Sequence, residues 1–206
     1  MTATPLIRVV DDDESLRTAL LRLLEVAGYE AQGYASTGEF LLHSPRDRPG
    51  CVLLDLRLPG PSGLDLQAAL PTNGFTLPVV FMTGHPEVAA SVRAMKAGAV
   101  DFLEKPVERQ TLFDALERAL ARDASQRQAR TEAGHLRARF ASLSPREHEV
   151  LQRVVAGKLN KQIADELGVS ERTVKSQRAM LMDKLGAGSP AELGALVERL
   201  RNLPGA

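Results

Sequence analysis

The chain has 206 residues, enough for two domains that each bury a core. Hydrophobic residues make up 44% and charged residues 25%, a balance that excludes a disordered or membrane-embedded chain. The formal charge of zero conceals an asymmetry: residues 1–120 carry 11 Lys and Arg against 16 Asp and Glu, whereas residues 137–206 carry 12 against eight, so front and back suit different partners.

From Pro5 to about Leu120, short apolar runs alternate with amphipathic stretches. "LIRVV", the weaker "YEAQGY", "CVLLDL", "PVVFMT" and "AVDFLEKP" read as strands. Between and after them, "ESLRTALLRLLEVAG", "ASTGEFLLH", "SGLDLQAALP", "EVAASVRAMKAGA" and "RQTLFDALERALA" have helical spacing. Such alternation predicts a parallel sheet with helices on both faces. Residues 121–140, "ARDASQRQARTEAGHLRARF", hold few large apolar side chains and read as an exposed helical extension or linker. Beyond them "SPRE" at 144–147 and "SPAE" at 189–192 are capping boxes, and Gly157, Gly168 and Gly186 mark helix ends. Four helices are expected, near 145–156, 160–167, 171–185 and 190–201. Cys51, alone among apolar neighbours, reads as a buried filler in a reducing compartment. The opening "MTATPLIRVV" lacks the pattern of a secretion signal, so the expectation is a cytoplasmic protein that makes no use of a membrane.

In an open parallel sheet, ligands sit at the carboxyl ends of the strands. Asp11 and Asp12 follow the first strand, Asp55 ends the third, Thr83 the fourth, and Lys105 the fifth. Three carboxylates in one crevice repel each other unless a cation offsets them, and a hard divalent ion such as Mg²⁺ meets that need. An Asp beside such an ion can attack a phosphoryl donor, with Lys105 and Thr83 serving the phosphoryl oxygens. Taken singly, Phe102 is a core aromatic, Thr83 a strand-end hydroxyl and Lys105 a surface cation. The arrangement of Thr83 and Lys105 at successive strand ends around Asp55 joins them into one site.

"VVDDDE", "VLLDLRLPGPSG", "VVFMTGH" and "AMKAGAVDFLEKP", in this order, resemble the receiver domain of two-component response regulators over about residues 5–120. The resemblance implies a flavodoxin-like (CheY-like) α/β fold with strand order 2-1-3-4-5. It implies Asp55 as phosphoacceptor, Asp12 as direct metal ligand, Asp11 as a water-mediated one, and the backbone carbonyl of Arg57 as a further ligand. Thr83 and Lys105 match the phosphoryl-sensing pair, and Phe102 the aromatic that turns on activation. Asp13 has no such role and reads as a surface charge. Leu58, Pro61 and Pro86 depart from common versions of these loops, which bears on phosphoryl lifetime or partner fit.

"NKQIADELGVSERTVKSQRAMLMDKLG" is a helix, a tight turn and a longer helix, the helix-turn-helix pattern. Ile163, Ala164, Leu167, Val169, Val174, Leu181 and Leu185 are spaced for one small core, and Ser170 can cap the second helix. Arg172, Lys175, Ser176 and Ala179 then share a face fit for a major groove, while Lys161 and Arg178 suit phosphates. The wider run from residue 141 closely resembles the LuxR/NarL-type DNA-binding domain, and the whole chain resembles a FixJ/NarL-type transcriptional regulator. Gln177 stands where many relatives have His, and Ala179 where they have a basic residue, so base preference does not carry over. Lys175 and Ser176 are the foremost base-edge candidates.

The expected division is a receiver at 1–120, a helical linker at 121–140 and an all-α helix-turn-helix domain at 141–206. Implied partners are a sensor histidine kinase, promoter double-stranded DNA, RNA polymerase and, on phosphorylation, a second copy of the chain. Activation is the favoured outcome, and no enzymatic activity is expected beyond Mg²⁺-dependent self-phosphorylation and autodephosphorylation. Two rivals remain at this point. One is a hydrolase of the haloacid dehalogenase type, which wants an acid two residues after its nucleophile, where this chain has Arg57. The other is a DNA-binding regulator whose receiver is a phosphorylation-independent interaction module.

Overall fold

A computed structural model describes residues 4–203, which group into two compact units, 1–127 and 128–206. The first unit is built on strands β1 (Leu6–Val10), β2 (Glu30–Tyr34), β3 (Gly50–Asp55), β4 (Val79–Thr83) and β5 (Asp101–Glu104). All neighbours are parallel, in the order β2-β1-β3-β4-β5. The helices are α1 (Glu14–Val26), α2 (Thr37–His43), α3 (Gly63–Ala69), α4 (Val88–Lys96) and α5 (Arg109–Ala141).

Strand alternation divides the core in two. On one face Ile7, Val9, Cys51, Leu53, Val80 and Met82 meet Leu20 and Leu24 of α1 and Leu112 and Leu116 of α5. On the other, Val10, Val52, Leu54 and Phe81 meet Phe40 of α2, Leu66 of α3 and Ala90 and Ala94 of α4. Cys51 is the expected filler: it is fully buried, and burial pushes its thiol up to about 12.

Arg8 breaks the apolar reading of β1, because its side chain is fully buried. It donates to Ser44 Oγ at 2.8 Å and to the carbonyls of Leu6, Pro45 and Arg48 at 3.2, 2.7 and 3.0 Å. Burial lowers its pKa to about 10. These acceptors satisfy the guanidinium without a carboxylate and tie β1 to the segment after α2.

The second unit takes the end of α5 together with α6 (Pro145–Val155), α7 (Asn160–Leu167), α8 (Glu171–Leu185) and α9 (Pro190–Arg201). The four expected helices are present with ends within a residue of those read from the sequence. Ser144 and Glu147 form a full capping box. At "SPAE" only half of one forms: Ser189 caps Glu192, but Glu192 accepts from the Gly188 N–H at 2.7 Å rather than from that of Ser189. Ile163, Ala164, Val174, Leu181 and Leu185 are buried in one core, with Leu167 and Val169 packed against it.

The stretch 121–140 is helical, as expected, but not uniformly exposed. Asp123 is buried in the first unit, where Oδ2 accepts from the Gly50 N–H at 2.9 Å and from Arg127 Nε at 2.8 Å. Leu136 and Phe140 are buried in the core of the second. The polar composition concealed both anchors, because each is made by one or two residues.

Candidate functional site

The carboxyl ends of β1 and β3 bring Asp11, Asp12 and Asp55 together, each with an oxygen within 4.8 Å of the others. Asp11 is fully buried, Asp55 nearly so, and Asp12 is exposed. Lys105, just beyond β5, places Nζ 2.7 Å from Asp11 Oδ2 and 3.3 Å from Asp55 Oδ1. Burial holds the Asp55 carboxyl above its ordinary range; Lys105 opposes that shift and Asp11 adds to it. One ammonium does not balance three carboxylates. The remaining negative charge and the all-oxygen donor set fit a hard divalent cation such as Mg²⁺.

Thr83, buried at the end of β4, spends its hydroxyl on His85 and makes no hydrogen bond to Asp55. Its hydroxyl accepts from the His85 N–H at 3.2 Å and donates to the His85 carbonyl at 3.3 Å. It is tied to the lysine through the backbone, since the Lys105 N–H donates to the Thr83 carbonyl at 2.8 Å. Phe102 is half-buried against the core, its ring 6.0 Å from that of Phe81. Arg57 donates its backbone N–H to Asp55, while its exposed guanidinium pairs with Glu87 at 2.8 Å.

In the second unit Ser170 caps α8, accepting from the Thr173 N–H at 3.1 Å. Val174, Leu181 and Leu185 turn into the core, leaving Arg172, Lys175, Ser176 and Ala179 exposed at i, i+3, i+4 and i+7. Lys161 is exposed on α7, and Arg178 is half-buried on α8. The exposed face of α8 is thus polar and basic, with further cations at its flanks.

Residues 7–117 match the family model described as "Response regulator receiver domain", and residues 141–197 that described as "Bacterial regulatory proteins, luxR family". Nodulation protein W of Bradyrhizobium diazoefficiens is 44% identical over 93% of this chain and 85% of its own. The transcriptional regulatory protein FixJ of Azorhizobium caulinodans is 44% identical over 91% of this chain and 89% of its own. The chain belongs to the FixJ/NarL-type response regulators. Among solved structures, response regulator StyR superposes with a TM-score of 0.85 at 46% identity, over 96% of this chain and 100% of that one.

The regulator thus joins a receiver to a LuxR-type helix-turn-helix domain, and it is a two-component, DNA-binding transcription regulator. Among the described residues no helix is long and apolar enough to cross a membrane. Three supports of its receiver site escaped the sequence reading. Asp13, exposed as expected, is also the N-cap of α1, accepting from the Leu16 N–H at 3.0 Å. Arg17 holds the Asp11 carbonyl at 2.7 Å. Gly63 packs so closely behind Asp55 that a Cβ there would fall 2.3 Å from its carbonyl oxygen. The spacing "DDDES" carries a signal for the cap. The other two depend on how the chain folds back.

Proposed function

We propose that a sensor histidine kinase phosphorylates the regulator on Asp55 and that this controls its binding to promoter DNA. The observation that carries the reading is the meeting of Asp11, Asp12 and Asp55 with Lys105 Nζ, 3.3 Å from Asp55. An Asp55 oxygen forms a bond to the donor's phosphorus as the bond to the leaving imidazole breaks, and that imidazole takes up a proton. Asp12, Asp55 and the Arg57 carbonyl would hold Mg²⁺ directly, and Asp11 through water. When bound, the ion offsets the charge that three carboxylates and the phosphoryl group gather in one place. Lys105 pairs with one phosphoryl oxygen and Thr83 donates to another, leaving its bond to His85.

Phe102 then turns inward and reshapes the face formed by α4, β5 and α5, on which two receivers pair. Pairing raises the effective concentration of two DNA-binding domains at one promoter, where Lys161 and Arg178 meet phosphates and Arg172, Lys175, Ser176 and Ala179 face the groove. The outcome is activation through RNA polymerase, in the cytoplasm. Beyond taking up and losing its own phosphoryl group, the chain turns over no substrate.

Intact mass after incubation with Mg²⁺ and a small acyl phosphate tests this, with DNA binding read from the same samples. Wild type should gain one phosphoryl mass and bind DNA more tightly, and Asp55→Asn should do neither. Donor-dependent DNA binding that survives Asp55→Asn would sink the mechanism and leave a receiver acting as a phosphorylation-independent interaction module.

A further inference from the structure

Several cations of the second unit are already paired with carboxylates. Arg146, Lys184 and Arg153 face Glu149, Glu147 and Glu166 at 2.7, 2.8 and 2.9 Å, and Lys158 also pairs with Glu166. A cation beside a carboxylate offers little net charge to a polyanion. Arg178 is held differently. Its Nη1 donates at 2.6 Å to Asn160 Oδ1, the oxygen of a neutral amide. Asn160 opens α7 and Arg178 lies midway along α8, so the contact bridges the two helices of the helix-turn-helix, and both side chains are half-buried.

We propose that Asn160 is a positioning residue for DNA binding: it fixes the Arg178 guanidinium on the flank of the reading helix while leaving its full charge for a backbone phosphate. This rests on the DNA-binding reading of α8 and adds a role for a residue that makes no part of its exposed face. An unrestrained arginine loses rotamer freedom when it meets a phosphate, whereas one held in the folded protein has already lost it. A carboxylate partner would hold it as well but cancel its charge; the amide orients without cancelling. With Oδ1 engaged, Nδ2 still has donors to offer the same phosphate.

The test is fluorescence anisotropy of a labelled, mixed-sequence DNA duplex titrated with the full chain across a salt series, with thermal midpoints measured alongside. Sequence identity is immaterial because a phosphate contact is blind to it. Asn160→Ala should weaken binding about threefold to tenfold. Arg178→Ala should weaken it further and reduce the log–log salt slope by about 1, and the double variant should bind no worse than Arg178→Ala alone. Asn160→Asp keeps the acceptor but sets a carboxylate beside the phosphate. It should bind at least as weakly as Asn160→Ala with no fall in thermal midpoint.

Wild-type affinity in Asn160→Ala, additive losses in the double variant, or rescue by Asn160→Asp would each overturn the positioning role while leaving DNA binding intact. Absence of salt-dependent binding by the wild type would instead remove the DNA-binding reading and the positioning role together.

Discussion

Glu147 shows how much a single buried charge contributes here. It closes the capping box of α6, accepting from the Ser144 N–H at 2.7 Å, and it also pairs with Lys184 of α8 at 2.8 Å. Lys184 first, and the Ser144 backbone second, depress its pKa from 4.5 to about 2. A depressed carboxylate contributes stability that is present above its unfolded value and lost as pH falls through the folded one. Glu147→Gln should therefore lower the urea midpoint of the full chain at neutral pH. The gap to wild type should narrow as pH falls from about 4.5 towards 2. A gap that stays constant on acidification would mean that the ion pair contributes nothing. The box was legible because cap and N3 residue are three positions apart; Lys184, 37 residues on, was not. Arg8 makes the same point more sharply. Inside "LIRVV" it reads as one polar letter in a strand, and three of its four acceptors, on Ser44, Pro45 and Arg48, become neighbours only once the segment after α2 folds beside β1. Asp11, Asp12, Asp55, Thr83 and Lys105 were legible for the opposite reason: a strand end is a local signal, and parallel topology places all such ends on one rim.

At the scale of elements, strands and amphipathic helices were readable from periodicity, whereas α5 was only half so. Its first turns carry apolar residues that face the sheet, and Leu112, Ala115, Leu116 and Ala119 are buried there. Beyond Leu120 the pattern fades, and what fastens the helix is a carboxylate. Asp123 takes the N–H of Gly50, the first residue of β3, whose φ of +142° and close approach to the Leu6 carbonyl exclude a side chain. Arg127 continues the contact, donating to the carbonyls of Asp47 and Arg48 at 3.0 and 3.1 Å. Helix periodicity cannot disclose a partner 73 residues upstream. Asp123→Ala leaves the Gly50 N–H buried without that acceptor, and such a loss costs about 1–3 kcal/mol. Urea unfolding should show the receiver weakened by that amount, and amide exchange at Gly50 should accelerate. Unchanged exchange would show that another group satisfies the amide and that α5 is held by its apolar turns alone.

For the whole molecule, the charge asymmetry and the change from strand–helix alternation to short capped helices already divided the chain, and the contacts made by residues 121–140 bear on how much of that stretch each unit needs in order to fold. An exposed linker at 121–140 would leave 1–120 and 141–206 as self-sufficient pieces. The structure divides α5 between units 1–127 and 128–206, and both pieces of the linker do core work. A fragment of residues 1–120 lacks Asp123 and Arg127; one of residues 141–206 lacks Leu136 and Phe140, which are 2% and 5% exposed. Losing a buried side chain of that size costs about 2–5 kcal/mol, and a small domain is stable by only about 5–15 kcal/mol. The fragment 128–206 should therefore unfold cooperatively, and 141–206 should show little cooperative unfolding under the same conditions. On the other side 1–127 should exceed 1–120 by about 1–3 kcal/mol, the contribution of the Asp123 contact. Both longer and shorter receivers contain Asp55, so phosphoryl uptake by 1–120 at the rate of 1–127 would assign the anchor to stability alone. Equal urea midpoints for long and short fragments would return residues 121–140 to the role of an exposed linker.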